Sequence, residues 1–269
     1  MFKGFQNTGG FGTSVRTRQM FGGVPSTSFG QAEGIRGAIP PDNLIAWFNS
    51  QIVDSSFGIT LNGNTVSSWK DTSGTHNLIQ ATAANQPTYV QNSQTYKGRN
   101  YLSFDTTDSL QITSSTLGIG TNPVYTVLAV YQNSVAISGN PVVRYQTSGG
   151  AGQYAITHTT AGVDQVQFTD ASATRTRSAG IALTNTLLLR GLEINRTNGL
   201  LYLHYRNQWR FTGGTTTLTT LTDYNGSNFA LGPATSGTIF IFDVLIYNRT
   251  ITVEEYSSIF NYYNFLYGF

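Results

Sequence analysis

A chain of 269 residues without a single cysteine is long enough to bury a core and needs no disulfide to hold it. Charged residues make up only 10% and the formal charge is +2, too little to make nucleic acid the main partner. No window approaches the ~20 apolar residues of a membrane-spanning helix. The opening MFKGFQNTGG carries no apolar signal-peptide core, so the expectation is a protein made and kept in a cytosol.

Residues 1–40 differ in kind from the rest of the chain. Phe-Gly pairs recur at Phe11-Gly12, Phe21-Gly22 and Phe29-Gly30 after an opening Phe2-Lys3-Gly4-Phe5, and the apolar residues follow neither a helical nor a strand period. Such a segment does not fold alone. It is either a disordered tail or an arm that orders on a partner, and regularly spaced phenylalanines, costly to leave in water, favour the arm. Phe2, Phe5, Phe11, Phe21 and Phe29 are its candidate anchors, and Arg16 and Arg18 its candidate contacts to an acidic rim. Extended at ~3.3 Å per residue, it reaches about 120 Å. Ile39-Pro40-Pro41 stiffens the chain and marks the boundary, leaving 41–269 as one domain.

The body reads as many short strands. Residues 43–48 and, after a turn at Asn62-Gly63, 66–74 look like short strands ending in polar turns, and 86–90, 99–105 and 109–112 continue the pattern. Apolar residues alternate between Tyr101 and Ile112 and break at Asp105-Thr106-Thr107-Asp108, which predicts a hairpin there. Residues 124–131 form a core strand, as do 141–145 and 153–158, while 164–168 alternate with Val166 and Phe168 on one face. Strands at 187–194 and 200–205 flank Asn198-Gly199, a strong hairpin signal, and 205–211 suggest a second hairpin. The unbroken apolar run 239–247 is a strand apolar on both faces. A helix comes directly after it: Thr252 and Glu255 have capping-box spacing, and Ile251 and Tyr256 fall at the staple positions. Tyr256, Ile259, Phe260, Tyr263, Leu266 and Tyr267 make one apolar face, and Gly268 stops it. Turns at this density argue for an all-β sandwich.

LIAWFNSQ, NTVSSWKDTSGTHNLIQATAANQPTYV, KGRNYLSFDTTDSLQI and the final FIFDVLIYNRTITVEEYSSIFNYYNFLYG together resemble a LamG-like domain of the concanavalin A-like lectin/glucanase superfamily. The resemblance covers about residues 43–268. Its best local signatures are Trp69-x-Asp71-x-Ser73-Gly74 with Gln86-Pro87, and the strand-to-capped-helix ending. It implies a jelly-roll of two curved antiparallel sheets, with the C-terminal helix covering one rim.

Glycoside hydrolases of that superfamily carry paired acids as Glu-x-Asp-x-x-Glu, because a retaining mechanism needs two carboxyls about 5 Å apart. This sequence lacks the motif, and the expectation drawn from it is a protein that is not an enzyme. Asp105 and Asp108 sit in a turn, where carboxyls more often cap amides than catalyse. His76, His158 and His204 are isolated in sequence, which gives zinc no support, so no metal or cofactor is assigned. Asp243, inside the most apolar strand, reads as an acceptor for backbone amides or an arginine, and Trp47 and Trp69 read as core. Trp209 and Arg210 lie in an aromatic, arginine-rich stretch whose composition suits an interface or a sugar platform alike.

Two functions survive. The first is a structural component of a virus or phage particle, tied into an oligomeric assembly of virion proteins by its arm, since LamG-like domains occur among virion components. The second is a carbohydrate-binding module. The sandwich alone does not choose between them.

Overall fold

The computed structural model describes residues 38–54, 56, 58–113, 117, 124–134, 142–146, 153–158, 163–169, 174–182, 185–195, 197, 199–211, 228–232 and 237–269. The strands within them are β1 (Leu44–Asn49), β2 (Ile59–Asn62), β3 (Thr65–Lys70), β4 (Asn77–Ile79), β5 (Thr88–Ser93) and β6 (Arg99–Phe104). They continue with β7 (Leu110–Thr113), β8 (Val124–Asn133), β9 (Val143–Gln146), β10 (Gln153–His158), β11 (Val163–Thr169) and β12 (Thr174–Ala182). The last are β13 (Leu188–Asn195), β14 (Leu200–Tyr205), β15 (Gln208–Phe211), β16 (Asn228–Leu231) and β17 (Ile239–Tyr247), before helix α1 (Val253–Tyr267).

Every pairing among them is antiparallel. In the first sheet β17 is central: β8 runs along one edge, and β6 and then β1 share the other. β8 continues through β13 and β14 to β15, and β6 pairs β5. The second sheet runs β2, β3, β4, β7, β16, β9, β10, β11, β12. A single pairing, Thr65 with Thr88, links the two groups.

Side-chain alternation explains the layers. Tyr125, Val127, Ala129 and Tyr131 of β8 join Trp69, Tyr154, Val166 and Phe229 in a core shared by both sheets. Leu128 and Val130, pointing the other way, join Leu189, Trp47 and the helix in a second core. On β17 the register shifts between Ile241 and Asp243. The resulting bulge turns both Phe242 and Asp243 toward the helix, so Ile239, Ile241, Val244 and Ile246 still face the sandwich interior.

The helix starts as its sequence dictates. The Thr252 hydroxyl accepts from the Glu255 amide at 3.2 Å and the Glu255 carboxylate accepts from the Thr252 amide at 2.8 Å, while Arg249 clamps that carboxylate from outside at 2.6 and 2.7 Å. Tyr256, Ile259, Tyr263, Leu266 and Tyr267 are buried as predicted. Phe260 is only half-buried and packs against Phe269, with ring centroids 5.9 Å apart. Gly268 ends the helix at φ +75°, donating to the Asn264 carbonyl.

One predicted hairpin is not formed. β6 pairs β5 and β17 in the first sheet, whereas β7 pairs β4 and β16 in the second, so residues 105–109 cross between layers. The alternation read from Tyr101 to Ile112 is correct on each side, but both strands face one core from opposite sheets instead of lying side by side.

Candidate functional site

The arm residues Phe2, Phe5, Phe11, Arg16, Arg18, Phe21 and Phe29 lie outside the described residues. Trp209 and Arg210 are described, and the structure draws them together with partners that local spacing did not connect. Pairing of β13 with β14 puts Glu193 and His204 on the helix-facing side of the first sheet, where His204 Nε2 is 3.1 Å from Glu193 Oε2. Arg210 on β15 binds the other carboxylate oxygen through Nη2. The guanidinium lies 4.3 Å from the ring centroids of both Tyr202 and Trp209, and the Trp209 indole N–H donates to the Ile251 carbonyl at 2.9 Å. His204 stacks on Tyr256 of α1. Glu193 and His204 are fully buried. The Glu193 carboxylate, the His204 ring and the Trp209 indole N–H are therefore spent on neighbours, and the Trp209 ring is already covered by a cation. This cluster pins the β14–β15 hairpin to the helix, and it offers no open stacking platform.

Asp243 is also locked, by partners other than those expected. Its carboxylate accepts from Trp47 Nε1 at 3.0 Å and from the Tyr267 hydroxyl at 2.6 Å, so it ties β17 to β1 and to the end of α1 with no described backbone amide or arginine bonded to it. Burial pushes its pKa up to about 7, against the lowering effect of these donors. In the 105–108 turn, Asp108 accepts from the Asp105 amide and Asp105 from the Thr107 amide, as capping carboxyls do. Asp71 of the Trp69-x-Asp71-x-Ser73-Gly74 signature accepts from Ser73 and from the His76 amide, and Gln86 bridges Asn62, Thr65 and Gln80. Those motifs hold loops. Among the described residues no group of three His, Asp or Glu side chains is placed to hold a metal ion.

The outer face of the second sheet is different. Strand alternation sends Val143 and Tyr145 into the core, and Arg144 outward. Register then places Arg144 between Ala230 and Ala155, with Gln111 beyond the first and Gln167 beyond the second. Gln111 also borders a groove of about 450 Å³ lined by Asn77, Ile79, Gln80, Thr82 and Asn228, among others. This surface joins carboxamides and hydroxyls to Arg144, and Lys70 stands beside Asn77 on the same face. Nothing in the sequence singled the surface out, because its members, Lys70 aside, come from six strands and none stands in a motif.

No protein-family model matches the chain, and neither does any of the curated proteins compared with it. Solved structures do match. The sialidase of Trypanosoma rangeli, in complex with sialic acid, aligns at TM-score 0.62 and 15% identity over 85% of this chain and 34% of its own. The receptor-binding domain of a botulinum neurotoxin C/D mosaic serotype aligns at 0.57 and 10% over 82% of this chain and 51% of its own. The binding domain of botulinum neurotoxin DC, in complex with rat synaptotagmin II, aligns at 0.54 and 11%, over 82% and 52%. The chain spans about a third of the sialidase and about half of the toxin domains, and at these identities the likeness is one of fold. It corrects the expectation of a protein that is not an enzyme. The fold occurs within enzyme chains that are sialidases, so a missing Glu-x-Asp-x-x-Glu motif removes one retaining mechanism and not enzymatic activity as such.

Proposed function

We propose that the chain is a recognition module whose second sheet binds a glycan on its outer face. The observation that carries this reading is the contrast between the two outer faces: α1 seals one with apolar side chains, while no described element lies over the other, which carries a groove bordered by carboxamides. Sugars are bound by planar amide and hydroxyl groups fixed on a rigid scaffold, and a sheet supplies such a scaffold. The neighbours are in keeping with this, since one was solved with sialic acid and two are receptor-binding or binding domains. The test is a screen of the purified chain against immobilised oligosaccharides, with calorimetry on the hits. Saturable binding abolished by Gln111→Ala with Asn228→Ala supports the reading, and absence of binding across the screen rejects it.

A second reading concerns how the module is carried. The recurrent Phe-Gly pairs of the arm and the LamG-like pattern of the body favour a component of a virus or phage particle, assembled in the host cytoplasm and held to other virion proteins by Phe11, Phe21 and Phe29. Deleting residues 1–38 then leaves the melting temperature of the body nearly unchanged and abolishes incorporation into the particle. Normal incorporation of the truncated chain removes this reading and leaves the glycan one standing.

A further inference from the structure

Arg144 is half-buried on the outer face of the second sheet, and no described residue pairs with it. Burial alone holds its pKa below the ordinary value, and no carboxylate contributes. An arginine drawn partly out of water without a counter-charge is costly to keep unless something supplies the missing anion. Its setting suits a ligand. Ala230 and Ala155, on the strands to either side, are 2% and 0% exposed. Both are covered, and their short side chains leave room for the long guanidinium stem to lie across the sheet between them. Two strands away, Gln111 is exposed at the rim of the groove, and Asn228 is exposed beside it. Neither carboxamide is engaged by another described residue. With strands ~4.8 Å apart, Gln111 and Arg144 are about 10 Å apart across the face, a span suited to an oligosaccharide rather than a single sugar.

We propose that this face selects acidic glycans, with the Arg144 guanidinium forming a two-pronged ion pair with a sugar carboxylate while Gln111 and Asn228 hold hydroxyls of neighbouring units in the groove. The inference rests on the glycan reading and adds its charge class. A carboxylate matches the planar fork of arginine, and the pairing is strongest where water is partly excluded. The flanking alanines matter as well: larger residues there would take up the room left for the guanidinium stem.

The experiment titrates the full chain with trigalacturonate and with its methyl ester, and with 3′-sialyllactose and lactose, so that each pair differs in its acidic function. The acidic member is expected to bind at least tenfold more tightly, with the advantage falling as salt rises. Arg144→Gln removes the advantage and leaves the neutral members unchanged, and Arg144→Lys retains part of it. A circular dichroism melt of each variant checks that the fold is kept; should Arg144→Gln fail to fold, Arg144→Lys, which keeps the charge and loses the planar fork, is the substitute, with a smaller acidic advantage expected and an undiminished one counting against the two-pronged pair. Equal binding of acidic and neutral members, unchanged by Arg144→Gln, overturns the role of Arg144 and leaves the glycan reading intact. Binding of none of the four, when the wider oligosaccharide screen is also blank, overturns both. Tighter binding of a sulfated trisaccharide than of trigalacturonate overturns the choice of carboxylate.

Discussion

The two outer faces of the sandwich are made by the same alternation of side chains and meet opposite fates. On the first sheet the outward positions are Trp47, Leu128, Val130, Leu189, Phe242 and Leu245, and α1 lies over them. On the second they include Ile79, Gln111, Arg144, Gln167 and Thr176, and no described element lies over them. An antiparallel sheet tolerates water on one side, so the outward residues decide whether a face becomes core or surface. The sealed face adds a second apolar core to the one between the sheets, and among the described residues the other face has no counterpart to it.

Substitutions break this contrast at different depths. The largest effect belongs to Tyr256→Ala, which removes a fully buried ring stacked on His204 and bonded to the Arg206 carbonyl at 2.7 Å. A loss of about 3–5 kcal/mol in urea denaturation is expected. Gly191→Ala comes next, at about 1–3 kcal/mol, because its methyl would lie 2.2 Å from Leu128 Cδ2 and 3.2 Å from His204 Cβ in the same sealed layer.

A pH effect sharpens the comparison, since Asp243 sits in the sealed layer between Trp47 and Tyr267. Asp243 has a pKa raised by burial from 3.8 to about 7. Between those values the folded protein keeps a proton that the unfolded chain releases, so this group's contribution is full below about 4 and lost as pH rises through 7. The stability difference between wild type and Asp243→Asn should therefore shift against wild type across that window, in urea melts at pH 4.5 and 7.5. No shift would mean that the carboxyl is already ionised in its pocket.

Two substitutions have smaller effects. Thr252→Ala loses one half of the capping box and should cost about 1 kcal/mol. Gln111→Ala, on the outer face of the second sheet, should change stability by less than about 0.5 kcal/mol while weakening glycan binding. A larger destabilisation there would show that this face is also structural.

What the sequence disclosed depended on how local the cause was. The capping box, the Gly268 stop and the Asn62-Gly63 turn are set by residues within a few positions of one another, and the structure repeats them, with Gly63 at φ +63°. β12 escaped notice because TRTRSAGIA shows no apolar alternation, and its partner β11 supplies the pairing. The crossing after β6 was hidden because alternation tells which side of a strand is apolar and not which strand lies beside it. Glu193, His204 and Arg210 meet only once β13, β14 and β15 are in register, and Arg144 gains one alanine neighbour from the next strand, β10, and the other from β16, distant in sequence.

The central place of β17 has a consequence for how the chain is made. Synthesis proceeds from the N-terminus, so β1, β6 and β8 leave the ribosome long before the strand that separates them in the finished sheet. Until residue 247 has emerged, those three carry open hydrogen-bonding edges, and contacts of such high sequence separation close slowly. The nascent body is therefore most vulnerable to mispairing late in translation, and a stop codon between Asn133 and Ile239 yields three orphan edges rather than a slightly shortened domain.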